Sequence, residues 1–199
     1  MAKWSVLFLS LVCAASGAFA QVAEFSVSGG VSRFGSTSLG TLGSDLTSGN
    51  INLTDGFRLA FRFTVNTKEH FGHEFGYAYN RSHLRFNNDP TQDMPMPVHQ
   101  GFYDFLVYAT NTEARVRPFV TGGVQFSSFF PPGSSVYYGN QVTKFGINYG
   151  GGIKAKVKGP WGVRLDLRQY NTGKPDFGFY NTSGRLMQTE ISAGVFYGF

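Results

Sequence analysis

Arg164, Asp166 and Arg168 recur at every second position of WGVRLDLRQY. On an extended strand, residues i and i+2 share one face about 7 Å apart, so one carboxylate can pair with either guanidinium. That spacing suits an ion-pair ladder that fills an interior, or in a sharper version an ion gate. Other clusters carry less. HFGHE brings His70, His73 and Glu74 close in sequence, but a zinc site of the HExxH kind needs a helix to align its ligands. Gly72 between Phe71 and Phe75 reads instead as a turn entering a strand. Ser82 and His83 are neighbours, so on a strand they face opposite sides and the ring cannot serve the hydroxyl as base. YGGGIK lacks the spacing and the Ser or Thr of a phosphate loop. No catalytic residue, metal site or cofactor is expected.

The elements that carry these residues have a period of two. In KFGINYGGGIKAKV, Phe145, Ile147, Tyr149, Ile153, Ala155 and Val157 alternate with Lys144, Gly146, Asn148, Gly150, Gly152, Lys154 and Lys156. GFRLAFRFTVN sets Phe57, Leu59, Phe61, Phe63 and Val65 against Arg58, Ala60, Arg62, Thr64 and Asn66. With 26 Gly, 21 Phe and 10 Tyr, the composition favours strands and turns over helices. Eight strands are predicted near 23–34, 55–66, 71–85, 101–111, 116–128, 142–157, 161–171 and 188–199. Three connections are short, TKEH, TEAR and KGP. Four are long and rich in Gly, Pro, Asn or Ser, namely residues 35–54, 86–100, 128–141 and 171–187.

The N-terminus has Lys3, an apolar stretch and the small-x-small triplet Ala18-Phe19-Ala20. This predicts a secretory signal peptide over 1–20, cleaved before Gln21. Cys13, the one cysteine, falls inside it, which leaves the mature chain 21–199 without disulfides or thiolate metal sites. The whole chain has 17 Lys+Arg and 12 Asp+Glu, formally +5, and loses one charge with Lys3. No basic run is dense enough to predict nucleic-acid binding.

Alternation alone does not say which face is inside. A soluble periplasmic lipocalin-like carrier hides its apolar face; a membrane barrel turns it to lipid. Three features favour the second. The polar face carries charges in mid-strand: Glu24, Arg58, Arg62, Glu74, Asp104, Arg117, Lys144, Lys154, Arg164, Asp166, Arg168 and Glu190, spaced by glycines that make room for long side chains across a narrow lumen. The apolar face holds His73, Tyr77, Tyr79, Tyr103, Tyr149, Trp161 and Tyr197 toward strand ends, where amphipathic rings meet the membrane interface. Short turns and long loops segregate to opposite ends.

VRPFVTGGVQF, KFGINYGGGIKAKV followed by WGVRLDLRQY, and the terminal ISAGVFYGF resemble the outer-membrane β-barrel domain family of OmpA/OmpX type. The resemblance spans the mature chain. It implies an all-β, eight-stranded antiparallel up-and-down transmembrane barrel in the bacterial outer membrane, with termini in the periplasm. It also implies that Tyr197 and Phe199 belong to a C-terminal signal read by the barrel-assembly machinery. Outer-membrane lipid and lipopolysaccharide are the expected partners, with Arg33, Arg81, Arg85 and Lys174 near the outer headgroups. Phe129, Phe130, Tyr137 and Tyr138 form a candidate loop contact surface. The expected role is structural or adhesive, with a side-chain-filled lumen and no catalysis; a narrow low-conductance pore is the second reading and the soluble carrier the third.

Overall fold

The computed structural model describes residues 22–35, 38–41, 50–86, 89–131, 141–178 and 184–199. It is all-β. In chain order the strands are β1 (Val22–Phe34), β2 (Ser38–Thr41), β3 (Asn50–Leu53), β4 (Gly56–Lys68), β5 (Phe71–Phe86), β6 (Asp89–Tyr108), β7 (Val116–Phe129), β8 (Val142–Lys158), β9 (Trp161–Gly173) and β10 (Arg185–Gly198). Each neighbour pair is antiparallel, and β1 closes the sheet against β10 from Glu24↔Gly198 to Phe34↔Gln188. The result is a closed eight-stranded antiparallel barrel. The short β2 and β3 are not additional staves. They prolong the β1–β4 hairpin beyond a break at Thr54 and Asp55, where the Asp55 carboxylate accepts the Phe34 N–H at 2.9 Å.

The register fixes the barrel's shape. Cross-strand partners run Phe34, Gln188, Tyr170, Asn148, Gly123, Asp104, Glu74, Thr64 and back to β1 at Glu24. The row returns ten residues below its start. With strands about 4.8 Å apart and a rise of about 3.3 Å per residue, that stagger means a tilt of about 40° and a backbone radius of about 8 Å. Such a bore has room for side chains and little else.

Burial shows which face is inside. Arg58, Glu74 and Asp104 are 0% exposed, whereas Val120 is 62%, Leu165 58% and Phe145 80% exposed. The apolar stripe therefore faces out to lipid, which disfavours the lipocalin-like carrier. Glycine matters where the bore is tightest: a Cβ on Gly76 would run into the Phe102 ring, and one on Gly162 into Phe196.

Two loop expectations are corrected. Residues 86–100 are largely strand, because β6 starts at Asp89 and pairs with β5 up to its outer end. The prolines in DMPMPVHQ suggest a loop, yet their positions are compatible with a strand edge. The Phe130 N–H donates to the Pro97 carbonyl, so odd-numbered residues aim their backbone groups at the β7 side. The last described partners of this ladder are Val98↔Phe129, followed by the bond to the Pro97 carbonyl, so the prolines stand at its end, where a missing N–H interrupts no central pairing. The loop over 35–54 likewise contains β2 and β3.

These extensions build something the alternation did not suggest. Going outward along each strand, the inward positions turn from charged to apolar. Phe34, Leu39, Ile51, Leu53, Leu84, Met96, Val98, Phe129 and Leu186 form one buried cluster. The outward positions change the opposite way, to Arg33, Arg81, His83 and Arg85. Beyond the membrane the surroundings are water, and the sheet takes the polarity of a soluble β-protein. Leu53→Ala is therefore expected to lower stability by about 2–5 kcal/mol although it lies outside the bilayer. Urea titration followed by heat-modifiable gel migration would measure it, and a change below about 0.5 kcal/mol would count against a packed cap.

Candidate functional site: the charged lumen

The lumen is layered. At its centre Asp166 on β9 is gripped by the neighbour two residues below, with Arg164 Nε and Nη2 each donating at 2.8 Å, and by Arg168 Nη2 at 2.9 Å from above. The ladder read from the sequence is thus made within one strand. Across the bore, Glu74 on β5 accepts from Arg164 Nη1 at 3.0 Å, Arg168 Nη2 at 2.6 Å and Thr64 Oγ1 at 2.9 Å. Asp104 on β6 completes the ring, held by Arg168 Nη1 at 2.5 Å and Asn148 Nδ2 at 2.7 Å.

Toward the outer end, Glu190 on β10 takes Arg62 Nη2 at 2.5 Å and the Tyr170 hydroxyl at 2.8 Å, with Arg58 Nε 3.0 Å away. Toward the end with the short turns, Glu24 binds Lys154 Nζ and accepts Asn66 Nδ2 at 3.0 Å. Six cations therefore share the buried interior with five carboxylates: Arg58, Arg62, Arg117, Lys154, Arg164 and Arg168 against Glu24, Glu74, Asp104, Asp166 and Glu190. Arg117 is the sixth cation. It donates to the Glu69 carbonyl at 2.9 Å and lies 3.7 Å over the Tyr108 ring, a neutral way to satisfy a guanidinium. Lys144 stands apart from the network. It lies half-buried, paired in register with Ser127 and running past Gly173, above the height of the carboxylates.

Sequence reading missed the partners that are not charged. Phe102 lies between Arg62 and Arg168, its ring 5.6 and 5.7 Å from their guanidinium carbons, and Tyr170 lies 4.5 Å from Arg58. An amide layer separates the charges from the apolar cap. Gln100 Nε2 donates to Gln188 Oε1 and Ser127 Oγ at 2.8 Å, Asn80 Nδ2 donates to Gln100 Oε1 at 3.0 Å, and Gln188 reaches Ser32. The parity of these residues with the Arg and Glu positions was the available signal.

The remaining candidates separate. Ser82 is buried while His83 lies on the opposite face, half-buried. His73 shares a 2.7 Å hydrogen bond with the Tyr103 hydroxyl on the lipid side, and among the described residues no cluster of His, Cys, Asp or Glu could hold a metal. Of the loop contact residues, Phe129 is 1% exposed in the apolar cap and Phe130 packs on His99 at 5.0 Å. Neither offers an exposed surface, because odd residues of β7 point inward and the cap needs Phe129 to fill it. Tyr137 and Tyr138 lie outside the described residues. Tyr197 sits between Trp161 and Phe199, with ring centroids 5.1 Å from each.

A buried charge is costly unless it is paired or well hydrogen-bonded. Glu74 neutralises three guanidiniums, Arg164, Arg168 and, at 3.6 Å, Arg62 Nε, so Glu74→Gln is expected to destabilise the barrel by about 3–5 kcal/mol. Glu24→Gln, which releases only Lys154, should have a smaller effect. A Glu74/Arg164 double-mutant cycle in urea should return a coupling above about 1 kcal/mol; additive effects would show that the ring is not cooperative.

Known proteins share this architecture. Neisserial surface protein A has a TM-score of 0.58 at 16% identity, covering 92% of this chain and 100% of that one. OprG from Pseudomonas aeruginosa gives 0.53 at 13%, covering 90% and 97%. Ail of Yersinia pestis, in complex with the heparin analogue sucrose octasulfate, gives 0.51 at 12%, covering 91% and 100%. At these identities the likeness is one of fold. A search of curated proteins finds no match. The profile described as the outer membrane protein beta-barrel domain matches residues 5–199, nearly the whole length, and the chain belongs to that family of outer-membrane barrels.

Proposed function

We propose that this barrel is a structural and surface-attachment protein of the outer membrane, not a pore and not an enzyme. The observation that carries the reading is the filled bore. Ion pairs cross it at three heights, an amide layer lies above them, and the apolar cluster closes the outer end. Stripping water from an ion at such a cap is costly, and opening the charged section would part several ion pairs together.

Attachment is assigned to the outer end. The fold neighbour Ail is an attachment invasion locus protein seen with a polysulfated ligand, and here Arg33, Arg81, Arg85 and Arg185 are exposed beside the cap. Such a rim suits anionic glycolipid or glycan. The expected leader over 1–20, cleaved before Gln21, and recognition of Tyr197 and Phe199 by the barrel-assembly machinery belong to the same reading.

In planar bilayers the refolded protein should be silent; reproducible ion-selective steps would overturn the filled-bore reading. Replacing residues 132–140, which include Tyr137 and Tyr138, with a Gly-Ser segment should reduce attachment of expressing cells to a glycan surface without altering heat-modifiable migration. Unchanged attachment would remove that loop from the function.

A further inference from the structure

The lipid-facing side carries one row that is out of place. Arg33 on β1, Thr189 on β10, Gln169 on β9 and Tyr149 on β8 are successive cross-strand neighbours, all pointing outward. It runs beside the row that starts at Phe34, and descends in the same sense. At about 4.8 Å per strand and a tilt near 40°, Tyr149 lies about 9 Å deeper than Arg33. The Thr189 hydroxyl donates to Gln169 Oε1 at 3.0 Å, and Asn171, two residues above Gln169, has a buried Oδ1 with no hydrogen-bond partner. Polar groups on a lipid face are expensive unless something binds them.

Directly below the row, Gly151 leaves a dent between Val120 and Leu167. With Ile153, Leu165 and Ile191 it forms a groove of ≈ 930 Å³ whose upper rim is Gln169 and Thr189. At the top, Arg33 and Arg185 face outward, and neither makes an ion pair among the described residues. From the outer end inward the order is cation, hydrogen-bonding amide and hydroxyl, then apolar trough.

From this we infer that the β8–β9–β10–β1 face is a binding site for one phosphorylated, amide-acylated glycolipid of the outer leaflet, the lipid moiety of lipopolysaccharide. The phosphate meets Arg33 and Arg185, the acyl amide or hydroxyl meets the Gln169–Thr189 pair, and an acyl chain lies over Gly151. This deepens the headgroup-contact part of the proposed function and rests on it. Charge decides against a second copy of the chain as occupant. A two-fold axis along the membrane normal would set Arg33 and Arg185 of both copies against each other, and like charges juxtaposed at an interface are unfavourable.

The test uses the refolded mature chain, 21–199, which has no cysteine of its own, in neutral detergent with purified lipid A bisphosphate. Arg33→Gln, Gln169→Leu and Thr189→Val combined should weaken binding by about tenfold or more, while Lys158→Gln, an exposed cation at the short turn between β8 and β9, leaves it unchanged. The replacements at Gln169 and Thr189 are apolar, and heat-modifiable migration verifies folding. Independently, in the otherwise unaltered barrel, alkylation of Gln169→Cys by a membrane-soluble maleimide should slow when lipid A is added. Equal affinity in the triple variant, equal binding of dephosphorylated lipid A, or unprotected alkylation would each overturn the site. Disulfide-linked dimers of Gln169→Cys, formed as readily with lipid A as without, would assign the face to a second copy and overturn it too. Conductance, which none of these changes should alter, reports separately on the filled-bore reading.

Discussion

Hydrocarbon offers no hydrogen bonds, and this one fact organises the molecule. Each backbone N–H and C=O within the bilayer must find a partner in the sheet, so β1 must meet β10, and the ten-residue stagger between Phe34 and Glu24 records how they meet. The stagger sets the radius, and the radius sets the chemistry of the bore. A cylinder this narrow cannot hold bulk water around six buried cations. They must instead be neutralised by carboxylates reaching from other strands, or in the case of Arg117 by a carbonyl and a ring.

The same sheet is solvated in two ways along its length. Within the bilayer, apolar rings and aliphatic chains face out and ionised groups face in. Past Phe34, Leu84 and Phe129 the order inverts, with arginines outside and Leu39, Ile51 and Met96 inside. Side-chain parity does not change at the crossover; only residue type does. The amide layer of Asn80, Gln100 and Gln188 occupies the boundary, where neither full charge nor full apolarity would be satisfied.

Much of this was legible in the sequence. The eight staves, the inside-out facing and the Arg164–Asp166–Arg168 ladder follow from a period of two combined with a narrow bore. The cap was not legible, because apolar-in and apolar-out read identically in one dimension and only three-dimensional height tells them apart. Phe129 was therefore expected to be exposed when it is among the most buried rings. Pro95 and Pro97 concealed a strand because proline is usually a breaker, and only the pairing scheme reveals that they stand at the end of the β6–β7 ladder, where Pro97 still accepts through its carbonyl. Lys144 had the right parity for the network and the wrong height.

Arg168 touches Asp104 through Nη1, Glu74 through Nη2 and Asp166 through Nε and Nη2. A lysine concentrates its charge and donors on one nitrogen and lacks the planar fork that reaches three separated carboxylates. Divergence at such a junction must proceed by compensated exchanges among several positions, since each intermediate with one member altered strands the others. The interior is thus slow to drift as a unit, whereas the lipid-clad exterior, where one oily side chain serves nearly as well as another, is free to wander. Homologues of this barrel should resemble one another more along the axis than around the waist, the reverse of what a water-soluble fold teaches one to expect of charged residues.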